Sequence, residues 1–336
     1  MSPRSARGAA AAVAALFLLM APGQAAEGPA AAAPQTLNGF RLAPLLVKPE
    51  LVRAGGPERD QIKAVDDPQF VIPEQATWVI GDTPVIGIEL GGEARAYPVH
   101  LMERHQIVND VLAGVPIALS YDPLAGTPRA FRRSVSGRNL HFGVSGLVYN
   151  ACSLMYDRET ESLWSQFTGQ AISGPLAGKR LDRIRVRQEP RDLWLGRAPT
   201  STVLVRPDPK GIDYRYSPYK AYWLQEEILF PVAAKDSRFH SKELVLGVVA
   251  KGKARAYLGS LLTAAGGRVD DDFYGKTIRI FYDSEGAFMQ WDVPKGTEVT
   301  EAYWFAWKAF HPDTEIWNDP KGKPPKPSAA QPGPRS

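Results

Sequence analysis

Cysteine is nearly missing from this sequence. Cys152 is the only one among 336 residues, so no intramolecular disulfide can form and stability must come from packing. Ready-made frames for metals, phosphates and nucleophiles are missing too. The five histidines (His100, His105, His141, His240 and His311) form no His-Glu-x-x-His frame, and a single cysteine allows no Cys-x-x-Cys pair. Gly143-Val-Ser-Gly-Leu147 places its second glycine one position too early for a nucleophile elbow. Gly174-Pro-Leu-Ala-Gly-Lys179 has three residues between its glycines, one short of a phosphate loop. Both read as turns.

A basic body is missing as well. The formal charge is +4, but residues 1–26 hold two of the excess cations and residues 320–336 four more, which leaves −2 for the stretch between. That balance argues against a nucleic-acid partner, which calls for basic residues clustered on one face. Past residue 26 no run approaches the roughly 20 apolar residues of a membrane helix, so no membrane span is expected.

What is present begins with Arg4 and Arg7, an apolar run from Ala9 to Met20, and Ala21-Pro-Gly-Gln-Ala-Ala26. This order predicts a signal peptide over 1–26, cut after Ala25 or Ala26, and a periplasmic or secreted product. Residues 27–50, with Gly28-Pro29 and the alanines up to Ala33, read as a tether. Residues 320–336, with six prolines and four basic residues, read as a disordered tail.

Between these ends the chain repeats itself. Val85 to Tyr97 matches Val245 to Tyr257, with Gly87 on Gly247, Gly92 on Gly252 and Ala94-Arg-Ala-Tyr97 on Ala254-Arg-Ala-Tyr257. After one inserted residue, Asn109-Asp110 falls on Asp270-Asp271, Gly114 on Gly275, and Tyr121-Asp122 on Tyr282-Asp283; further on, Trp194 and Pro199 match Trp307 and Pro312. The expected fold is α+β and β-rich, with two related lobes from an internal duplication, a first lobe over 51–205 with a strand-rich insertion and a second over 206–319. Within a lobe, Val85–Leu90 and Ala94–Tyr97 read as strands around a Gly91-Gly92 turn, and Pro98 opens a short helix running to about His105. Gln106–Asn109 and Pro116–Tyr121 follow as strands, and the insertion adds Leu140–Val144, Ser153–Tyr156 and Ser162–Gln166.

The densest polar cluster is His105, Asn109, Asp110, Tyr121 and Asp122. Neighbouring strands would bring the imidazole and two carboxylates together, so His105, Asp110 and Asp122 are the candidate ligands of a divalent metal, or an acid-base set. Tyr149, Asn150, Trp164 and Gln166 are candidates for lining the same groove. Cys152, in an apolar stretch with no base nearby in sequence, reads as a buried thiol.

Several blocks taken together resemble a known family. Gly92-Glu-Ala-Arg-Ala-Tyr-Pro98, His105-Gln-Ile-Val-Asn-Asp110, Phe142-Gly-Val-Ser-Gly-Leu-Val-Tyr-Asn150, Met155-Tyr-Asp-Arg158, Glu161-Ser-Leu-Trp-Ser-Gln166, Gly174-Pro-Leu-Ala-Gly178 and Phe310-His-Pro-Asp-Thr314 are similar to the bacterial and archaeal domain of unknown function 3179, over about Val79 to Trp317. The resemblance implies a Tyr-Cys-Pro-Leu-Cys-Gly-Thr block whose paired thiols would suit metal or redox chemistry. This chain departs from it, reading Tyr121-Asp-Pro-Leu-Ala-Gly-Thr127. The resulting expectation is a non-redox cell-envelope binding protein for a metal ion or small polar ligand. A hydrolytic enzyme using His105 with Asp110 or Asp122, and an envelope scaffold contacting another protein, are the alternatives.

Overall fold

The computed structural model describes residues 36–208 and 210–318. The signal peptide and the Pro/Lys tail lie outside the described residues. From Thr36 onward, the stretch expected as a tether is packed instead: Phe40 and Leu42 are buried in a core cluster, and the Leu46 N–H donates to Ile172 O at 2.9 Å. The Ala/Pro composition upstream masked these two apolar anchors.

The molecule is rich in strands, and one arrangement carries the logic of the fold. Strand Pro84–Leu90 turns back on Glu93–Pro98 through Gly91 and Gly92, at φ +59° and +87°. A two-residue turn with both φ positive matches the twist of the strands it joins, and glycine reaches that conformation without a Cβ clash. Arg187–Pro190 pairs antiparallel with the first strand, and Thr202–Leu204 runs parallel beside the second. The hairpin leads into α1 (Val99–His105), and α2 (Arg191–Arg197) lies between the two flanking strands in sequence. The indole of Trp194 on α2 presses on Gly87 so closely that a Cβ there would sit 2.2 Å from the ring.

The same order of elements occurs farther along the chain. A hairpin of Leu244–Ala250 and Lys253–Leu258 is flanked by antiparallel Glu298–Tyr303 and parallel Glu315–Ile316. After the short α3 (Lys220–Trp223), helix α4 (Gly259–Ala264) follows this hairpin, and α5 (Trp304–Phe310) presses Trp307 on Gly247, again at 2.2 Å from a notional Cβ. The indole N–H of Trp194 donates to Ser201 Oγ and that of Trp307 to Thr314 Oγ1, at 2.8 and 2.9 Å. After each hairpin and helix come three antiparallel strands, Ile107–Leu112, Val115–Asp122 and Thr127–Arg132 in one case and Arg268–Phe273, Lys276–Asp283 and Phe288–Asp292 in the other.

A further sheet, ordered Ala171–Ser173, Leu163–Ser165, Cys152–Asp157, Phe142–Tyr149 and Val52–Ala54, takes its three central strands from the strand-rich insertion and one edge from Val52–Ala54, much earlier in the chain. It joins the rest through a mixed core in which Ala125, Cys152 and Phe167 pack with Trp304, Phe305 and Trp307. Among the described residues no helix is long and apolar enough to cross a membrane.

This core also buries acids. Glu301, 7% exposed, accepts a 2.8 Å hydrogen bond from Trp291 Nε1, and burial raises its pKa to about 7 against the opposing pull of that bond. A carboxyl whose folded pKa lies above its unfolded value binds more protons in the native state, so its contribution to stability drains away as pH rises from about 4.5 to about 7. Glu301→Gln keeps the acceptor and removes the titration. Its stability, followed by urea unfolding between pH 5 and 8, should fall less steeply with pH than that of the parent; parallel curves would show that Glu301 does not titrate in this range.

Candidate functional site

The residues expected to form one site are distributed over separate networks. Asp110 accepts from Arg95 and, at 2.6 Å, from Tyr97 Oη, both on the neighbouring hairpin strand. Asp271 is held in the same way by Arg255 and Tyr257, each at 2.7 Å. Asn109 bridges strands, donating to Asp66 Oδ1 and Phe142 O and accepting from the Phe142 N–H, all at 2.8 Å. Asp122 is fully buried; Oδ1 caps the Leu124 N–H at 3.0 Å and Oδ2 takes the Ser153 N–H at 2.6 Å. Burial raises its pKa, and those backbone N–H groups pull it back.

His105 is occupied on both sides. Its Nδ1 meets Lys63 O at 2.8 Å and its Nε2 meets Tyr214 Oη at 2.7 Å. A carbonyl only accepts, so Nδ1 carries the proton and Nε2 accepts the tyrosine O–H. The expected metal set of His105, Asp110 and Asp122 is therefore not assembled, and among the described residues no group of three or more His, Cys, Asp or Glu is placed to hold an ion. The physical reason is that each side chain already satisfies a different buried neighbour. The same partners deny His105 a carboxylate for hydrolysis.

The other expected groove residues also serve the interior. Trp164 Nε1 donates to Asp157 Oδ2 at 2.7 Å, Asn150 links Ala309 O and the Ala233 N–H, and Tyr149 packs edge-on against Phe310. Gln166 donates to Thr127 O at 2.9 Å while its Oε1 is buried without a partner among the described residues, as is Tyr121 Oη. Cys152 is buried, and burial together with nearby Asp122 pushes its thiol pKa well above the ordinary value, which makes it a poor nucleophile.

Two open clefts lie elsewhere, each walled in part by one stretch of chain. Residues 213–216 are tied to α1, where Arg104 Nη2 donates to Asp213 O at 3.2 Å and to Tyr216 O at 2.6 Å and His105 holds Tyr214. One cleft, of about 350 Å³, is bounded by Lys63 to Gln69, His105 and Leu204 to Asp208. The larger, of about 830 Å³, has Trp78, Ile80, Asp82, His100, Arg206 and Lys210 among its walls. In it His100 forms no hydrogen bond among the described residues, and burial, helped by the charge of Arg206, lowers its pKa to about 4, so the ring is neutral at pH 7. The indole N–H of Trp78 is buried with no partner among the described residues, and the Arg206 guanidinium lies 5.2 Å from the centre of that ring. Sequence reasoning passed over His100, Trp78 and Arg206. Their only signal was the Pro/Asp/Gly-rich stretch Arg206 to Asp213, a loop composition too long for a tight turn.

A family model described as "Protein of unknown function (DUF3179)" matches residues 59–300. The chain belongs to this family. No curated protein and no solved structure matches it. In this DUF3179 protein the turn Asp122 to Thr127 is closed by the Asp122 carboxylate, and the Ala125 carbonyl accepts the Tyr303 N–H at 2.8 Å. These residues do not fit a metal at that turn: Asp122 spends both oxygens on backbone N–H groups, and Ala125 offers no ligand.

Proposed function

We propose that this protein binds a small polar molecule in the 830 Å³ cleft beside α1, and that it does so as an exported protein of the cell envelope. The observation that carries the reading is that the cleft brings together hydrogen-bonding groups that, among the described residues, the fold itself does not use: the His100 ring and the Arg206 and Lys210 head groups. Unused polar groups around an open concavity are what a ligand satisfies. The basic, apolar, small-residue order of residues 1–26 supports export.

We further infer that the two sets of hairpin, helix and tryptophan descend from one duplicated unit, and the duplication then serves as a control. Contacts present in both halves, such as Arg95-Tyr97-Asp110 and Arg255-Tyr257-Asp271, serve the fold. His100, Glu103 and His105 on α1 correspond to Ser260, Thr263 and Gly266, so their chemistry belongs to one half alone. That asymmetry favours a function on the α1 side.

Ile80, 65% exposed on the cleft wall, gives a clean test. A thermal-shift screen of small polar metabolites should return a ligand that raises the melting temperature of the parent but not of Ile80→Glu, with the two unliganded proteins melting alike. A ligand that stabilises both equally binds elsewhere and overturns the cleft assignment.

A further inference from the structure

The charges around the large cleft are unevenly spent. Arg215 is committed to Asp213 through two hydrogen bonds of 2.9 and 2.8 Å. Arg206 and Lys210 form no ion pair or hydrogen bond among the described residues, and Arg206 is held over the Trp78 ring, which fixes its guanidinium without neutralising it. On the acid side only Asp82 is uncommitted. Asp82 also borders the neighbouring groove of about 270 Å³, where Glu189, Asp283 and Glu285 stand, so it marks the edge of the cleft that faces that acidic groove. The segment carrying Arg206 and Lys210 is absent from that groove's walls. The cleft is thus electropositive along this segment and negative where it borders the acidic groove.

We propose that the ligand presents a carboxylate or phosphate oxyanion to Arg206 and Lys210, with an apolar portion against Trp78 and Ile80. The inference rests on the cleft being the binding site. Guanidinium groups match the planar geometry of an oxyanion, and a lysine adds a mobile point charge. The His100 ring adds a neutral hydrogen-bonding group. Because His100 is neutral, it neither repels a cation nor attracts an anion at pH 7, so selectivity falls to the two free cations. A bound oxyanion would favour the charged imidazole, so binding should raise the pKa of His100. Asp82, Asp213, Arg206, Lys210, Arg215 and Tyr214 are the charged and titratable groups sharing the cleft with the ring.

The test uses the full chain and matched probes: benzoate and phenyl phosphate against benzamide and benzylamine, titrated by calorimetry. The oxyanions are expected to bind about tenfold or more tightly than the amide, the size of one charge-assisted contact. Their affinity should fall with added salt, and Arg206→Gln and Lys210→Gln should each weaken it about tenfold with no change in melting temperature. Equal or tighter binding of benzamide or benzylamine, sensitive to Ile80→Glu, would overturn the oxyanion assignment and leave the cleft as the binding site. If neither the probes nor the metabolite screen yields a ligand sensitive to Ile80→Glu, both readings fall.

Discussion

Replacing Asp110 by alanine is expected to lower the unfolding free energy by about 3–5 kcal/mol, the cost of breaking a buried ion pair by removing one partner. Asp110 is 4% exposed and Arg95 18%, and the substitution strands both the guanidinium and the Tyr97 hydroxyl, itself wholly buried. The matching change, Asp271→Ala, should cost less. Arg255 retains Glu315 as a second partner at 2.6 Å, and Asp271 is 17% exposed, so water compensates part of the loss. Urea unfolding of both variants reads the two costs directly. An Asp110→Ala protein within about 1 kcal/mol of the parent, or an order reversed between the two, would show that the network does not hold the hairpin to the strands behind it. Ligand affinity in the large cleft should not move in either variant, which separates this carboxylate from the binding role its sequence position suggested.

The misreading of Asp110 shows where sequence reasoning runs out. Period-two runs, the Gly91-Gly92 turn and Pro98 ahead of an apolar stretch report local geometry, and the strands and α1 fall where those signals put them, within a few residues. The repeated Ala-Arg-Ala-Tyr block likewise finds its counterpart in repeated hairpins. Partner choice is not local. Arg95 and Tyr97 lie 15 and 13 residues from Asp110 and reach it only because the hairpin packs across the next pair of strands. The recurrence of the same triplet around Asp271 was visible as Asp110 on Asp271 and Arg95 on Arg255, and it pointed to a role in the fold shared by both copies. His105 was singled out because it stands beside Asn109 and Asp110, yet its ring answers to Lys63 and Tyr214, which are 42 and 109 residues away. The large cleft was the least legible feature, since its walls come from Trp78 to Thr83, α1, and Arg206 with residues 210–215, three stretches with no shared pattern.

The two tryptophans that press on glycines offer the other large effect, and one whose sign can be reversed. Trp194 and Trp307 are 1% and 0% exposed, and truncating either to alanine should cost about 3–5 kcal/mol. They lie in separate core clusters, so the two losses should add to within about 0.5 kcal/mol. With a total stability of about 5–15 kcal/mol, the double variant would be close to unfolding. Each indole occupies the space over a glycine, and the three atoms nearest a notional Cβ at Gly87 all belong to Trp194, as those at Gly247 belong to Trp307. Gly87→Ala alone should therefore destabilise by about 1–3 kcal/mol through overpacking, yet be tolerated in the Trp194→Ala background, where the added methyl meets a cavity. The double-mutant cycle should show the two changes opposing each other, and the cycle of Gly247→Ala with Trp307→Ala should repeat the result. Additive losses in both cycles would mean that something other than the indole requires glycine there. Opposition in one cycle alone would mean that the two halves, alike in contacts, do not use them alike. The measurement thus tests packing and the inferred duplication together, because a contact inherited from one unit should respond to the same pair of substitutions in both places.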